Sequence, residues 1–311
     1  MTIARVVEEY VVYKRSLGMA FQSRALLLNR FVRFVGDVEI EQITSEKVRE
    51  FLQRTTASEW FMKYSALGPF YRYAISRGYT TGNPLPTVQP KQPPDFQPFI
   101  YSVENVQRML QAVDGRCRGS WHMEPYTVRM LLLLLYGTGL RIGEALRLTH
   151  QDVNLGESLL TIRETKFYKS RLVPVGADLT AALRTYLERK WSGQACTPQS
   201  PFLATYNGRP VTRQTAELTF QRVRTEAGVR RTDSAHFQPR LHDFRHTFAV
   251  TRLLTWYREG KNVQRLLPHL ATYLGHGRLQ ETTRYLTMTM NLLEEASRRF
   301  EQYAQPTGGA A

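Results

Sequence analysis

The chain has 311 residues, with 42 Lys and Arg against 27 Asp and Glu, a formal charge of +15 at pH 7. An apolar share of 42% excludes a largely disordered protein, and the longest apolar run, Met130–Tyr136, is far short of the roughly 20 residues of a bilayer span. Two cysteines, Cys117 and Cys196, exclude a disulfide framework and a thiolate metal cluster.

The charge implies a polyanionic partner. The basic residues are mostly arginine, whose planar fork suits bidentate phosphate contacts, and they lie in foldable segments rather than in a tail. That favours a folded nucleic-acid-binding protein over one with a basic arm, and a soluble protein with scattered surface charge stays open. No signal-peptide pattern opens the chain, so a bacterial cytoplasm or nucleoid is the expected compartment.

The length suggests about two domains. Ile3–Leu17 alternates apolar and charged residues at helical spacing. Phe21–Val35 comes next, with Leu26, Leu27, Phe31 and Phe34 among Arg24, Arg30 and Arg33. From Thr44, T-S-E-K predicts a capped helix reaching Arg54, and Trp60–Arg77 predicts an aromatic-rich helix that ends near Gly78. Residues 1–82 thus read as a small helical bundle. Residues 83–98 carry six prolines and read as a semi-rigid linker.

Residues 99–290 form a larger, mostly helical part. Ser102 carries an N-cap signature, and Met130–Tyr136, apolar on all sides, predicts a buried central helix. Gly137-Thr-Gly139 is expected to break it before a helix over Leu140–Leu148. Leu159–Arg163 and Arg171–Val175 predict two strands of a β-hairpin around Glu164–Ser170, with Pro174 suited only to an edge. Helices are expected over Leu179–Arg189, Thr212–Ala227, His242–Tyr257 and Leu266–Leu274. A terminal tail, residues 291–311, holds an amphipathic stretch at Asn291–Tyr303.

Four constellations could carry chemistry. In T-G-L-R-I-G-E-A-L, Arg141 succeeds a glycine break at a helix start, where it and free amides could address a phosphate while Glu144 holds the guanidinium. A solvated Arg–Glu pair is the alternative. In the turn E-T-K-F-Y-K-S, Lys166 or Lys169 could reach a groove and donate a proton, or be merely solvated. In L-H-D-F-R-H, His242, Arg245 and His246 share one helix face, beside an apolar stripe of Leu241, Phe244 and Phe248. That cluster could grip a phosphate through Arg245 with His242 in acid–base work, or bind metal with a third ligand from His269 or His276. His246 reads best as a satisfied core histidine. In Y-L-G-H-G-R-L-Q-E-T-T-R-Y, His276 precedes Tyr285, a poor nucleophile unless cations lower its pKa or a base takes its proton.

Taken in order, R…K…H-x-x-R…L-G-H…Y, with nine residues from His276 to Tyr285, closely resembles the tyrosine recombinases, or phage-integrase family. T-G-L-R-I-G-E-A-L-R-L resembles the segment of its first arginine, R-L-V-P-V the strand after the hairpin lysine, L-H-D-F-R-H-T-F-A the H-x-x-R box, and T-T-R-Y the nucleophile segment. The resemblance implies a mainly α fold with a small β-hairpin or sheet, in a two-domain C-shaped clamp of a helical core-DNA-binding domain and a catalytic domain. It implies Arg141, Lys166, His242, Arg245, His276 and Tyr285 as catalytic residues. It also implies cleavage and rejoining of duplex DNA at a recombination site through a covalent 3′-phosphotyrosine, with no metal, ATP or other cofactor. The same likeness implies a homotetrameric synaptic complex, in which the terminal helix docks on a neighbouring subunit.

The chain departs from the family at Thr165, where a glycine usually precedes the lysine, so Lys169 competes with Lys166. Its stretch between the H-x-x-R box and L-G-H is longer than in Xer-type members and is similar to recombinases of transposable elements. A silent DNA-binding protein of the same fold, or a type IB topoisomerase-like relaxing enzyme, is the alternative function.

Overall fold

The computed structural model describes the chain except residues 54–55, 92–96, 116–122, 164–169, 192–195, 234, 236, 288–293, 296 and 298–311. The hairpin-turn lysines Lys166 and Lys169 and most of the predicted tail helix lie outside the described residues. Two compact units emerge, one within Met1–Phe96 and the other beginning at Gln97.

The first unit holds α1 (Ile3–Ser16), α2 (Gln22–Val35), α3 (Ser45–Gln53) and α4 (Ala57–Ser76). Their apolar stripes meet around Tyr10, Leu28, Phe31, Phe70 and Tyr71, all fully enclosed. Burying each such side chain contributes about 1.5–3 kcal/mol. Thr44 Oγ1 accepts the Lys47 N–H, as the T-S-E-K signature predicts. α4 starts earlier than Trp60, because Thr56 Oγ1 caps it through the Glu59 N–H at 3.3 Å, and it runs on through Pro69. After Leu85, which plugs this core, Thr87–Lys91 is exposed and has no regular structure. Trypsin is therefore expected to cut the native protein first after Lys91, as mass spectrometry of the early fragments would show. A first cut inside a helix would contradict this.

The second unit contains α5 (Val103–Asp114), α6 (Pro125–Thr138), α7 (Ile142–Ala145), β1 (Val153–Asn154), β2 (Leu159–Ile162), β3 (Arg171–Pro174), α8 (Ala177–Trp191), α9 (Arg213–Glu226), α10 (Asp243–Arg258), α11 (Val263–Leu274) and α12 (Gln280–Thr283), then a 3₁₀ turn at Arg284–Thr287. The predicted hairpin is a three-stranded antiparallel sheet in the order β1-β2-β3, with Leu159 opposite Pro174 on the edge strand. Ser102 and Asn105 form a reciprocal capping box at the start of α5.

The buried helix is α6, longer than its apolar run and packed against α5, α8 and α10. Gly137 does not break it. A Cβ there would sit 3.0 Å from the Leu179 side chain, so this glycine serves close packing of α6 on α8. The break falls at Gly139, whose φ of +61° is left-handed and whose added Cβ would meet the Phe248 ring at 2.7 Å. The next element is the single turn α7 rather than a helix over Leu140–Leu148. α11 begins three residues before the predicted Leu266, because Asn262 Oδ1 accepts the Arg265 N–H at 3.1 Å. These ends bring α7, β3, the start of α10 and the end of α11 together.

Candidate active site

The organising feature is the last turn of α11. Gly275, at φ +68°, ends that helix and leaves its final carbonyls without helical partners. Three successive carbonyls accept from three arginines of three other elements. Tyr273 O takes Arg171 Nε at 2.8 Å, Leu274 O takes Arg245 Nη2 at 2.6 Å, and Gly275 O takes Arg141 Nη2 at 3.0 Å. Carbonyls at a helix C-terminus carry partial negative charge, so cations dock well there. A larger residue would be strained at this left-handed φ, and its Cβ, 2.8 Å from Arg171 Nη1, would push that guanidinium out of place.

One carboxylate serves this cluster. Glu144 on α7 is enclosed. It accepts Arg141 Nη1 at 3.0 Å and a two-pronged fork from Arg171, at 3.1 and 2.8 Å. Burial pushes its carboxyl up, but Arg171 and Arg141 outweigh that and hold it at about 2. Arg245 is 2% exposed and also donates to Gly139 O at 2.9 Å. Burial, and then the charge of Arg141, push its guanidinium down to about 10. Three guanidiniums around one carboxylate leave a local excess of positive charge, and the Arg141 side chain, 35% exposed, brings it to the surface.

Tyr285, carried by the 3₁₀ turn after α12, lies at this cluster with 3% of its surface exposed. Burial pushes its phenol up, while the adjoining Arg245, then Arg284 and Arg141, pull it down. The His276 ring stacks on it at 6.0 Å, and the His246 ring meets it edge-on at 5.6 Å. His246 in turn meets His242 edge-on at 5.0 Å. His276 Nδ1 pairs with the enclosed Thr282 hydroxyl at 2.6 Å. Tyr273, at the end of α11, instead stacks on Phe248 at 5.3 Å with its hydroxyl on Pro174 O, and burial pushes it up to about 12.

The structure thus brings Arg141, His242, Arg245, His276 and Tyr285 into one cluster. His242 is the N-cap of α10 rather than its first residue, and Asp243 accepts the Arg240 N–H at 2.9 Å. His246 is half-buried between His242 and Tyr285, not a core residue as the sequence suggests, because its helix face is the site face. Arg171 is a participant that the sequence reading missed; it opens the R-L-V-P-V strand noted there, but only as a marker for the preceding lysine. Among the described residues, no three His, Cys, Asp or Glu side chains form a group suited to a metal ion.

Burial, and then the neighbouring cations, depress His276 and His246 to about 3. A free imidazole titrates near 6.5, so the folded state disfavours their protonation. Their stabilising contribution is complete above about pH 6.5 and is lost as pH falls from there toward 3. Each contributes at most about 1.4 kcal/mol per pH unit in that window, and less where water screens the ring. Urea unfolding at pH 5 should therefore give a lower midpoint than at pH 7, and His276→Gln should shrink the difference. Equal wild-type midpoints would contradict the burial of these rings.

Residues 101–291 match the model of the phage integrase family, and the chain belongs to that family. It is 36% identical over 307 residues to a Sinorhizobium fredii protein named as an integrase/recombinase, y4rB, with 97% of this chain and 98% of that one covered. The tyrosine recombinase XerC of Lacticaseibacillus casei is 29% identical over 262 residues, covering 83% and 80% of the two chains. In fold it is similar to the Tn1549 transposon integrase solved in complex with transposon right end DNA, with a TM-score of 0.70, 16% identity and coverage of 98% and 100%. No helix among the described residues is long and apolar enough to cross a membrane.

Proposed function

We propose that this chain is a site-specific DNA recombinase that cleaves and rejoins strands through a covalent 3′-phosphotyrosine, without metal or ATP. The observation that carries the reading is the Tyr285 phenol set beside the Arg245 and Arg141 guanidiniums, in a cluster whose positive charge exceeds its one carboxylate. A phosphodiester supplies the missing negative charge.

Tyr285 Oη attacks phosphorus and the bond to the 5′ oxygen breaks, so phosphate ester is conserved and a free 5′ hydroxyl can reverse the step on a new partner. Arg245 and Arg141 hold the non-bridging oxygens as charge builds. His242 assists removal of the phenol proton, and His276, its Nδ1 occupied by Thr282, gives Nε2 to a phosphate oxygen. Lys166, which the family resemblance puts forward, protonates the departing oxygen. Residues 1–82 serve as a core-DNA-binding domain, 83–98 as linker, 99–290 as catalytic domain and 291–311 as the tail that joins subunits into a tetramer on paired sites.

The test is a pool of nicked duplexes of random sequence, incubated with the protein in EDTA. Detergent-stable protein–DNA adducts enriched in one sequence are expected, with recombinant products when two such sites are supplied. Sequence-selective binding without adduct would leave a silent DNA-binding protein. Relaxation without site preference would point to a topoisomerase.

A further inference from the structure

Arg171 sits outside the set of residues given catalytic roles, yet all three nitrogens of its guanidinium are engaged in the cluster. Its side chain is 11% exposed and makes three bonds: two to the Glu144 carboxylate and one to the Tyr273 carbonyl. On Glu144, Arg141 takes only what Arg171 leaves, a single side-chain contact from Nη1 to Oε1 besides its own backbone N–H to Oε2 at 3.1 Å, and its Nη2 goes to Gly275 O instead. The two arginines compete for one carboxylate, and Arg171 holds the fork.

We propose that Arg171 is a positioning residue that sets the direction of Arg141. By occupying Glu144 in two-pronged fashion and gripping the end of α11, it stops Arg141 from folding back into its own bidentate pair and keeps that guanidinium spread between Glu144 and Gly275 O, with its exposed edge open to the phosphate. The proposal rests on the recombinase reading. The physical basis is geometric. A carboxylate matched to a planar guanidinium through two parallel bonds is a strong, directional pair, and lysine reproduces the charge but not the fork. The groups facing Glu144 are Arg171 from β3, Arg141 at the head of α7, Arg245 from α10, and His276 just beyond the end of α11. Once Arg171 is gone, Arg141 is the one among these already bonded to Glu144, and it moves into the vacated positions.

The consequence differs from that of a merely structural residue. Arg171→Lys should lower the single-turnover cleavage rate at saturating DNA by about 100-fold, the usual scale for misplacing a reacting group by about 1 Å. DNA affinity should change much less. Adding Glu144→Gln should recover about tenfold of the lost rate, because an amide binds Arg141 more weakly than a carboxylate and releases it. The recovery should come without any gain in the thermal midpoint.

The experiment uses the full chain and the duplex recovered from the adduct pool, comparing wild type, Arg171→Lys, Arg171→Ala and the Glu144→Gln/Arg171→Lys double variant by adduct formation, DNA affinity and thermal unfolding. Arg171→Lys is the decisive single variant if Arg171→Ala fails to fold. Rescue of cleavage by the second substitution supports the proposal. A folded Arg171→Lys that cleaves like wild type, or a double variant no faster than it, overturns this role and leaves the recombinase reading intact. A wild type that forms no adduct removes both.

Discussion

Arg245→Ala should abolish detectable cleavage and weaken the fold together. The side chain is 2% exposed, and its two terminal nitrogens hold Gly139 O and Leu274 O, which join the end of α6 to the end of α11. Alanine leaves both carbonyls short of a donor, at about 1–3 kcal/mol for each buried group. It also removes a preformed donor for developing phosphate charge, which costs about 10²–10³ in rate. Arg245→Lys separates the two effects. It keeps the charge and one bond, so stability should recover in part while cleavage stays low. Urea unfolding and adduct formation on the same samples would show this, and a folded Arg245→Ala that cleaves normally would refute it.

Tyr285→Phe has the opposite signature, total loss of chemistry with little change in the fold. One oxygen leaves a ring that stays packed between His246 and His276, and stability should change by less than about 1 kcal/mol. DNA affinity should stay close to wild type, since the arginine cluster is untouched. Tyr273→Phe should keep full adduct formation. Its hydroxyl reaches only Pro174 O and its ring is stacked on Phe248, which assigns it to packing between β3 and α10. An adduct formed by Tyr285→Phe would be decisive against the proposed nucleophile.

The parts of the site legible in the sequence are those set by side-chain identity. Arg141, His242, Arg245, His276 and Tyr285 stand out because their types and order are unusual together, and the structure does gather them. The groups that join them are not legible, because they are main chain. The carbonyls of Tyr273, Leu274 and Gly275 hold three arginines, and sequence reports no direction for a carbonyl. Arg171, although it opens the R-L-V-P-V strand, shows its part only through a carbonyl and a carboxylate distant in sequence. Gly137 and Gly139 look alike in sequence, yet one admits the Leu179 side chain and the other ends the helix, a distinction made by packing partners over 40 and 100 residues away. The helical character of the fold is plain from periodicity. Helix starts differ from expectation where a cap, such as Thr56 or Asn262, precedes the apolar pattern.

The proposed reaction joins one tyrosine covalently to a 3′ phosphate, and that bond can be mapped. Adducts formed in EDTA would be digested with nuclease and with a protease that cuts after glutamate. Cuts after Glu281 and Glu294 release Thr282–Glu294, a peptide whose one tyrosine is Tyr285. This peptide is expected to carry the nucleotide mass, linked through a 3′ phosphate, with a free 5′ hydroxyl on the other side of the break. Nucleotide on a peptide containing Tyr273 instead, or cleavage that leaves no linked peptide and stops in EDTA, would contradict it.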